Sequence, residues 1–320
     1  MDTDTTWDCI VVGGGAAGLS GALVLGRARR RTLVIDAGEQ SNRFAHGIGG
    51  LLGQDTRPPA EFYAAGRDEL AAYPTVALRA GEVLRGERHD DGFVLELADG
   101  SRETARRVLL ATGMDYRYPA LPGIEPRWGR SVFHCPFCHG WEVRDEALGV
   151  LDRGEAGLHR ALLLRMWSED VTLFAGASPD LDETERAQLA AAGVSIEERD
   201  VAGLAGPGDT LTAVVFADGS ERACGGLLVP VTLHQRSSLA QDLGAAVAAP
   251  TPIVADGLEL DAKHCTTVPG LFAAGDVSVK MPSVATAVAA GSTAAAMVVQ
   301  SLMAQAHDPV AAGAGSGAAG

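Results

Sequence analysis

Residues 133–142 read FHCPFCHGWE, with Cys135 and Cys138 three apart, Pro136 between them and His139 directly after. Two thiols so spaced can ligate a metal, staple a loop, or cycle between dithiol and disulfide and so carry two electrons. A structural zinc site takes four protein ligands, and no second Cys-x-x-Cys supplies the other two. His134 and His139 flank the pair, but they share one short loop with it, a poor arrangement for a tetrahedron, so no metal is expected. Cys9, Cys224 and Cys265 bring the count to five, odd and scattered. That argues against a disulfide-stapled secreted fold and for a functional pair in a reducing compartment. A free thiol with a pKa of about 8.5 is only a few per cent thiolate at neutral pH, and a helix N-terminus or a nearby base makes it more reactive. Pro136 suits a turn entering a helix, which would put the pair at such a start. His139, with an ordinary pKa of about 6.5, is the candidate general base, and His134 is the weaker one. Cys9 lies in a predicted buried strand and is read as core packing; Cys224 and Cys265 are assigned no chemistry.

A redox pair needs an electron partner, and the flanking segments suggest one. CIVVG (9–13) reads as a strand, LSGALVLGRA (19–28) as a helix and TLVID (32–36) as a second strand. The connecting GGGAAG places Gly13, Gly15 and Gly18 in G-x-G-x-x-G register, with Ala16 and Ala17 between. Such a turn lets a pyrophosphate approach the helix N-terminus, whose free N–H groups and positive dipole favour it. Asp36 lies 18 residues after Gly18, where the ribose-binding acid of a dinucleotide fold belongs. RVLLATG (107–113) is a buried strand running into Ala111-Thr112-Gly113, and VPGLFAAGDV (268–277) a strand ending in Gly275-Asp276-Val277 before a long small-residue helix. Singly these could be ordinary glycine turns and strand ends; together and in this order they point to dinucleotide binding.

Residues 117–247 read as an inserted second domain: strand, turn, helix, strand over 147–177, then a hairpin turned at Asp218-Gly219. The expected fold class is therefore α/β, with two Rossmann-like dinucleotide-binding domains. A discontinuous one spans 1–116 and 248–304, and the inserted one, 117–247, carries the Cys-x-x-Cys. Residues 305–320, rich in Ala and Gly, are expected to be a disordered tail. The net charge of −15 argues against a nucleic-acid partner. No glycine-free apolar run reaches the roughly 18 residues that span a bilayer, and the acidic N-terminus is unlike a secretory signal. A cytoplasmic protein with no membrane or nucleic-acid partner is expected.

GGGAAG with Asp36, LLATG, CPFCHG and LFAAGDV, in this order, resemble the low-molecular-weight thioredoxin-reductase family from about Cys9 to Met303. The resemblance implies FAD, held at its pyrophosphate by Gly13, Gly15, Ala16, Ala17 and Gly18 and at its ribose by Asp36. Ala111, Thr112 and Gly113 with Gly275, Asp276 and Val277 would complete the site, Asp276 contacting the ribityl chain. A homodimer is implied as well.

Two departures from that pattern bear on chemistry. The turn of the inserted domain reads Asp152-Arg153-Gly154-Glu155-Ala156-Gly157, with an aspartate in place of the leading glycine and a glutamate three positions on. Two carboxylates would face a pyrophosphate. The stretch 171–185, where an NADPH 2′-phosphate needs cations, has no Lys or Arg before Arg186. Losing two charge-assisted hydrogen bonds would weaken binding about a hundredfold to ten-thousandfold, unless Arg153 or Arg165 replaces them. The inserted nucleotide site is read as degenerate. The second departure is His139-Gly140 after the pair, where ordinary thioredoxin reductases carry an acid. C-P-x-C-H-G with a damaged turn is similar to the dithiol oxidases that close natural-product disulfides of the gliotoxin, holomycin and romidepsin type. That similarity implies electrons flowing from a small-molecule or peptide-like dithiol to Cys135, through Cys138 to FAD, and on to O2 with release of H2O2. The alternatives are a thioredoxin reductase using NADPH or ferredoxin, and a non-enzymatic flavin-bound redox sensor.

Overall fold

A computed structural model describes residues 6–89, 92–278 and 281–306; the expected tail lies, from residue 307 on, outside them. The helices in chain order are α1 (Ala16–Arg27), α2 (Pro59–Leu70), α3 (Pro136–His139), α4 (Gly154–Leu164), α5 (Glu183–Ala191), α6 (Leu239–Asp242) and α7 (Val284–Ala306). The chain divides into two units, 1–41 with 60–115 and 233–320, and 42–59 with 116–232.

Unit 1 is built on a mixed sheet ordered Val76–Ala80, Thr32–Asp36, Trp7–Val12, Arg102–Leu110, Gly92–Leu97 and Val83–His89. The first four strands are parallel, with Cys9 opposite both Thr32 and Arg107. The long fourth strand forks. Its first half pairs antiparallel with Phe93–Glu96, and its second half takes Leu271–Ala273 in parallel. Parallel strands covered on both faces need continuous apolar runs, and Ile10, Val11, Val34 and Leu109 are fully buried. α1 and α7 pack together on this sheet through Ala17, Ala22, Ala290, Ala294 and Val298. Complete burial of a side chain such as Val298 contributes about 1.5–3 kcal/mol. By length and composition Val284–Gln305 could cross a membrane; it contains Gly291, so it lies outside the expectation, which concerned glycine-free runs. Its burial against α1 accounts for that apolar character as core packing.

Unit 2 contains a five-stranded parallel sheet ordered Val194–Glu197, Val171–Phe174, Leu148–Leu151, Gly226–Leu228 and Val132–Phe133. Leu158, Ala161 and Leu164 of α4 and Leu189 of α5 bury against it. A capping box, Asp182 with Glu185, starts α5. The expected hairpin is formed by Ala213–Phe216 and Glu221–Ala223 around Gly219, whose φ is +79°. The next strand, Gly226–Leu228, leaves that hairpin and joins the parallel sheet.

Each unit thus holds a parallel sheet with a βα turn of the dinucleotide-binding kind, as the sequence suggests. The limits differ from those expected. Residues 233–247, read as part of the inserted domain, pack within unit 1, and 42–59, read as part of the first domain, pack within unit 2. Short-range patterning carries no information about such long-range packing.

Candidate functional site

The thiol pair is aimed by strand and turn. Val132 and Phe133, fully buried, pair in parallel with Leu227 and Leu228, and the chain then turns into the single turn of α3. Cys135 is its N-cap in an extended conformation, with Pro136 in the first turn supplying a φ already suited to a helix. The Cys138 N–H donates to the Cys135 carbonyl at 3.2 Å and the Gly140 N–H to the Pro136 carbonyl at 2.7 Å. One helical turn brings positions i, i+3 and i+4 together, which here are Cys135, Cys138 and His139.

Both thiols are free and partly buried in this structure. The Cys138 S–H donates to the Cys135 sulfur, and the backbone N–H groups of Cys138 and Phe137 add to it, so Cys135 titrates below the usual thiol range despite its burial. Cys138 is pushed up by donating that bond, by burial, and by the charges of Cys135 and Glu142. Of the two sulfurs, Cys135 is therefore the more acidic and Cys138 the more basic.

Burial, reinforced by nearby His46, lowers His139 to about 4, a correction to the ordinary value expected of it. His139 is neutral at neutral pH and free to accept a proton. His134 is lowered to about 4 by burial and then by His139. Its ring sits in an aromatic stack, with centroids 5.0 Å from Tyr116 and 5.7 Å from Trp128. That packing fixes the residue before Cys135, a positioning part.

Segment 42–59 lies along the same turn. A β-carbon at Gly49 would stand 2.7 Å from the Cys138 carbonyl oxygen, so only glycine allows this approach. The contact is long-range, so no local pattern marks Gly49 as part of the site.

Unit 1 brings its three glycine-containing segments together. A β-carbon at Gly13 would lie 2.2 Å from the Ala111 carbonyl oxygen, and one at Gly18 would lie 1.8 Å from that of Gly13. Gly275 abuts Ala17, and the Asp276 carboxylate accepts from Ser41 Oγ at 3.3 Å. Asp36 accepts from the N–H groups of Gly14 at 3.1 Å and Gly38 at 3.0 Å and from Gln40 Nε2 at 3.2 Å. Ala16 and Ala17 are buried at the start of α1, Ala111 is buried, and Thr112 and Gly113 are half-buried beside the turn. Val277 is core: its side chain is fully buried and its carbonyl accepts the Leu258 N–H at 2.9 Å. α1 begins with no side-chain cap and no acid in its first turn. The nearest atom to a β-carbon at its N-cap, Gly15, would be Gln40 Cγ at 4.0 Å. An uncapped helix start with open space before it fits a pyrophosphate. Gly14, Gln40 and Ser41 join the residues expected at this site. The second glycine of GGGAAG is the available signal for Gly14, but side-chain contacts alone reveal the other two.

The corresponding turn of unit 2 is closed by its own residues. The Asp152 carboxylate is paired with Arg160 and accepts the Arg153 N–H at 2.8 Å. The Gly154 N–H, at the start of α4, donates to the Pro179 carbonyl at 2.8 Å, so the loop after Val171–Phe174 folds over the helix start. Glu155 lies in the first turn of α4. Arg165 donates to the Ser168 carbonyl at 2.9 Å at the other end of that helix, too far along to replace a phosphate contact, and Arg186 is paired with Glu198 at 2.7 Å. The start of α4 is thus met by the chain's own Pro179 carbonyl and by acids, unlike the open start of α1.

Cys9 is fully buried and raised by that burial, and burial pushes Cys224 up to about 12. Cys265 is raised by partial burial and by Asp261. Among the described residues no group of three or more His, Cys, Asp or Glu is arranged to hold a metal ion.

Residues 7–291 match the family described as pyridine nucleotide-disulphide oxidoreductase. The thioredoxin reductase tcpT of Claviceps purpurea (strain 20.1) is 31% identical over 317 residues, 95% of this chain and 97% of that protein. A crystal structure of an oxidoreductase from Agrobacterium tumefaciens is 38% identical with a TM-score of 0.88, covering 93% of this chain and 99% of that one. The crystal structure of HlmI, 34% identical, also has a TM-score of 0.88, covering 96% of this chain and 95% of that one. These bear out the resemblance to thioredoxin reductases carried by the glycine turns and the thiol pair. With two dinucleotide-type units and one Cys-x-x-Cys turn, the chain belongs to the pyridine nucleotide-disulphide oxidoreductase family and is an oxidoreductase.

Proposed function

We propose that the protein is an FAD-dependent dithiol oxidase that closes a disulfide in a small-molecule or peptide-like dithiol. The observation that carries this reading is the contrast between the two βα turns. The Gly13–Gly18 turn is open at its helix start, whereas the Asp152–Gly157 turn is filled by the Asp152–Arg160 pair and the Pro179 carbonyl. FAD would be held by Gly13–Gly18, Asp36, Ala111–Gly113 and Gly275–Asp276. Bound there, it would supply the acceptor for two electrons from the reduced pair and the means to pass them to O2, giving H2O2.

Thiol exchange follows from the unequal acidity of the two sulfurs. Starting from a Cys135–Cys138 disulfide, His139 accepts the proton of the first substrate thiol, and the resulting thiolate attacks Cys135 Sγ. The bond to Cys138 breaks, and Cys138, the more basic sulfur, takes that proton from His139. The second substrate thiol gives its proton to His139 and attacks the substrate sulfur of the mixed disulfide. Cys135 then leaves as a thiolate stabilised by the N–H groups of Phe137 and Cys138 and by the Cys138 S–H; a stabilised thiolate leaves faster. One dithiol becomes one disulfide, the enzyme disulfide becomes a thiol and a thiolate, and one proton remains to be released.

The test is oxygen uptake by the FAD-loaded protein with dithiothreitol. One H2O2 should form per disulfide, with no NADPH requirement. Uptake that depends on NADPH, with no peroxide from dithiol alone, would instead support the reductase activity that the names of several relatives carry.

His139→Gln is expected to lower kcat/KM at neutral pH by about a hundredfold to ten-thousandfold, the usual worth of a general base. The parent's rate should fall as pH drops through about 4, where His139 gains a proton. In the variant the neutral-pH rate should instead rise about tenfold per unit as the substrate thiol ionises. An unchanged rate and profile would remove His139 from the mechanism.

A further inference from the structure

Residues 233–247 pack within unit 1, and they carry Arg236 to the edge of the proposed FAD site. Its Nε donates to the Met114 carbonyl at 3.1 Å, and a β-carbon at Gly113 would stand 4.0 Å from the same nitrogen. Its Nη1 donates to the Glu39 carbonyl. These two partners are 122 and 197 residues away along the chain. The guanidinium therefore joins the strand end at 111–113 to the segment that follows Asp36. That segment runs along the site. The Gly38 N–H and Gln40 Nε2 donate to Asp36 at 3.0 and 3.2 Å, and Gln40 Cγ lies 4.0 Å from where a β-carbon of Gly15 would be. Ser41 Oγ then donates to Asp276 at 3.3 Å. Residues 38–41 thus lead from the acid expected at the ribose, past the start of α1, to the acid expected at the ribityl chain. Arg236 is fixed from behind: the Gln235 N–H donates to Asp256 Oδ1 at 2.8 Å, Gln235 Nε2 to the Asp256 carbonyl at 2.6 Å, and the Leu233 N–H to the Ile253 carbonyl at 2.8 Å.

We propose that Arg236 is the brace of the cofactor site: by bonding the Glu39 and Met114 carbonyls at once, it keeps residues 38–41 in place along bound FAD and sets how fast FAD leaves. The proposal rests on the reading of the turn at 13–18 as an FAD site, and is independent of which substrate or acceptor the protein uses. The two-carbonyl bridge asks for arginine. A planar guanidinium presents its N–H donors in a fixed fork that meets acceptors in two set directions, whereas a lysine ammonium is a compact charge with no such fork. Competition for the two acids makes the bridge matter most in the loaded protein. A carboxylate offers about four lone-pair sites, and Asp36 already takes the N–H groups of Gly14 and Gly38 besides Gln40. Hydroxyls of the cofactor on Asp36 and Asp276 would compete with Gln40 and Ser41 for the remaining places. The Glu39 carbonyl, which no cofactor hydroxyl can claim as a donor's place, is then the anchor of the segment. Arg236 acts through these carbonyls and is a positioning residue.

The experiment follows release of FAD from the loaded protein, read as flavin retained at timed intervals after dilution. Arg236→Met keeps the length of the stem and loses every donor. It should release FAD about tenfold to a hundredfold faster, the worth of one charge-assisted hydrogen bond. Arg236→Lys keeps the charge without the fork, and its release rate should fall between those of Arg236→Met and the parent. The melting temperature of the FAD-free protein should be the same in all three, which separates a brace of the cofactor site from a general structural peg. Equal release from the parent and Arg236→Met would overturn the brace and leave the FAD reading intact. Faster release that comes with a lower melting temperature of the FAD-free Arg236→Lys protein would also overturn it, as general loosening of unit 1. A parent that binds no FAD would overturn the cofactor reading, and the brace with it. If Arg236→Met does not fold, Arg236→Lys decides: release faster than the parent's supports the brace, and release at the parent's rate overturns it.

Discussion

Replacing Cys135 with serine is expected to abolish dithiol oxidation, by about four to six orders of magnitude, while the protein stays folded and retains FAD. The size follows from its place in the turn: in the proposed exchange Cys135 receives the substrate sulfur and leaves as the stabilised thiolate, and a hydroxyl can do neither. Cys138→Ser should be as severe, because no resting disulfide can form. The two single variants also test the polarity of the pair. In Cys138→Ser the remaining Cys135 keeps the N–H groups of Phe137 and Cys138's successor serine, so iodoacetamide should label it at lower pH than it labels Cys138 in Cys135→Ser. Cys138 lacks those donors and feels burial and Glu142. Labelling in the reverse order would contradict the proposed roles of the two sulfurs, and appreciable turnover in either variant would remove the mechanism.

The second large effect is expected at Gly18. A β-carbon there would stand 1.8 Å from the Gly13 carbonyl oxygen, a backbone atom held by the turn. Forcing the pair apart should destabilise unit 1 by about 3 kcal/mol, the upper range for overpacking, and should open the turn proposed to hold the pyrophosphate. Gly18→Ala is therefore expected to purify colourless and to melt several degrees below the parent. Gly15→Ala makes the useful contrast, since a β-carbon there meets nothing closer than 4.0 Å. It should fold normally yet bind FAD more weakly, because the methyl group would occupy space left for the cofactor. Equal FAD content in Gly18→Ala and the parent, measured by absorbance after denaturation, would contradict the assignment of this turn.

What the sequence showed and what it hid follow from the range of the forces involved. Strand Trp7–Val12, α1 and Asp36 are read from adjacent residues, because apolar runs, glycine spacing and a strand-end acid are local properties. The turn at Asp152 was also readable as unfavourable to phosphate from its two acids. Its closure was not, since the Arg160 partner and the Pro179 carbonyl reach it only through folding. The same holds for segment 42–59, whose place beside Cys138 depends on the fit of Gly49 against a distant carbonyl. His139 shows the limit most clearly. Its residue type suggested a base with an ordinary pKa, and burial among Phe133 and its neighbours lowers it to about 4. Desolvation depends on everything packed around a group, which spacing along the chain does not encode.

The direction of electron flow is the central claim, and anaerobic mixing tests it most directly. Yellow, FAD-loaded protein is mixed without oxygen with NADPH in one syringe experiment and with dithiothreitol in another, and flavin absorbance is followed. Dithiothreitol should bleach the flavin, and admitting air should restore the colour with formation of H2O2, while NADPH at the same concentration leaves the spectrum unchanged. Bleaching by NADPH within seconds, with dithiothreitol inert, would contradict the account.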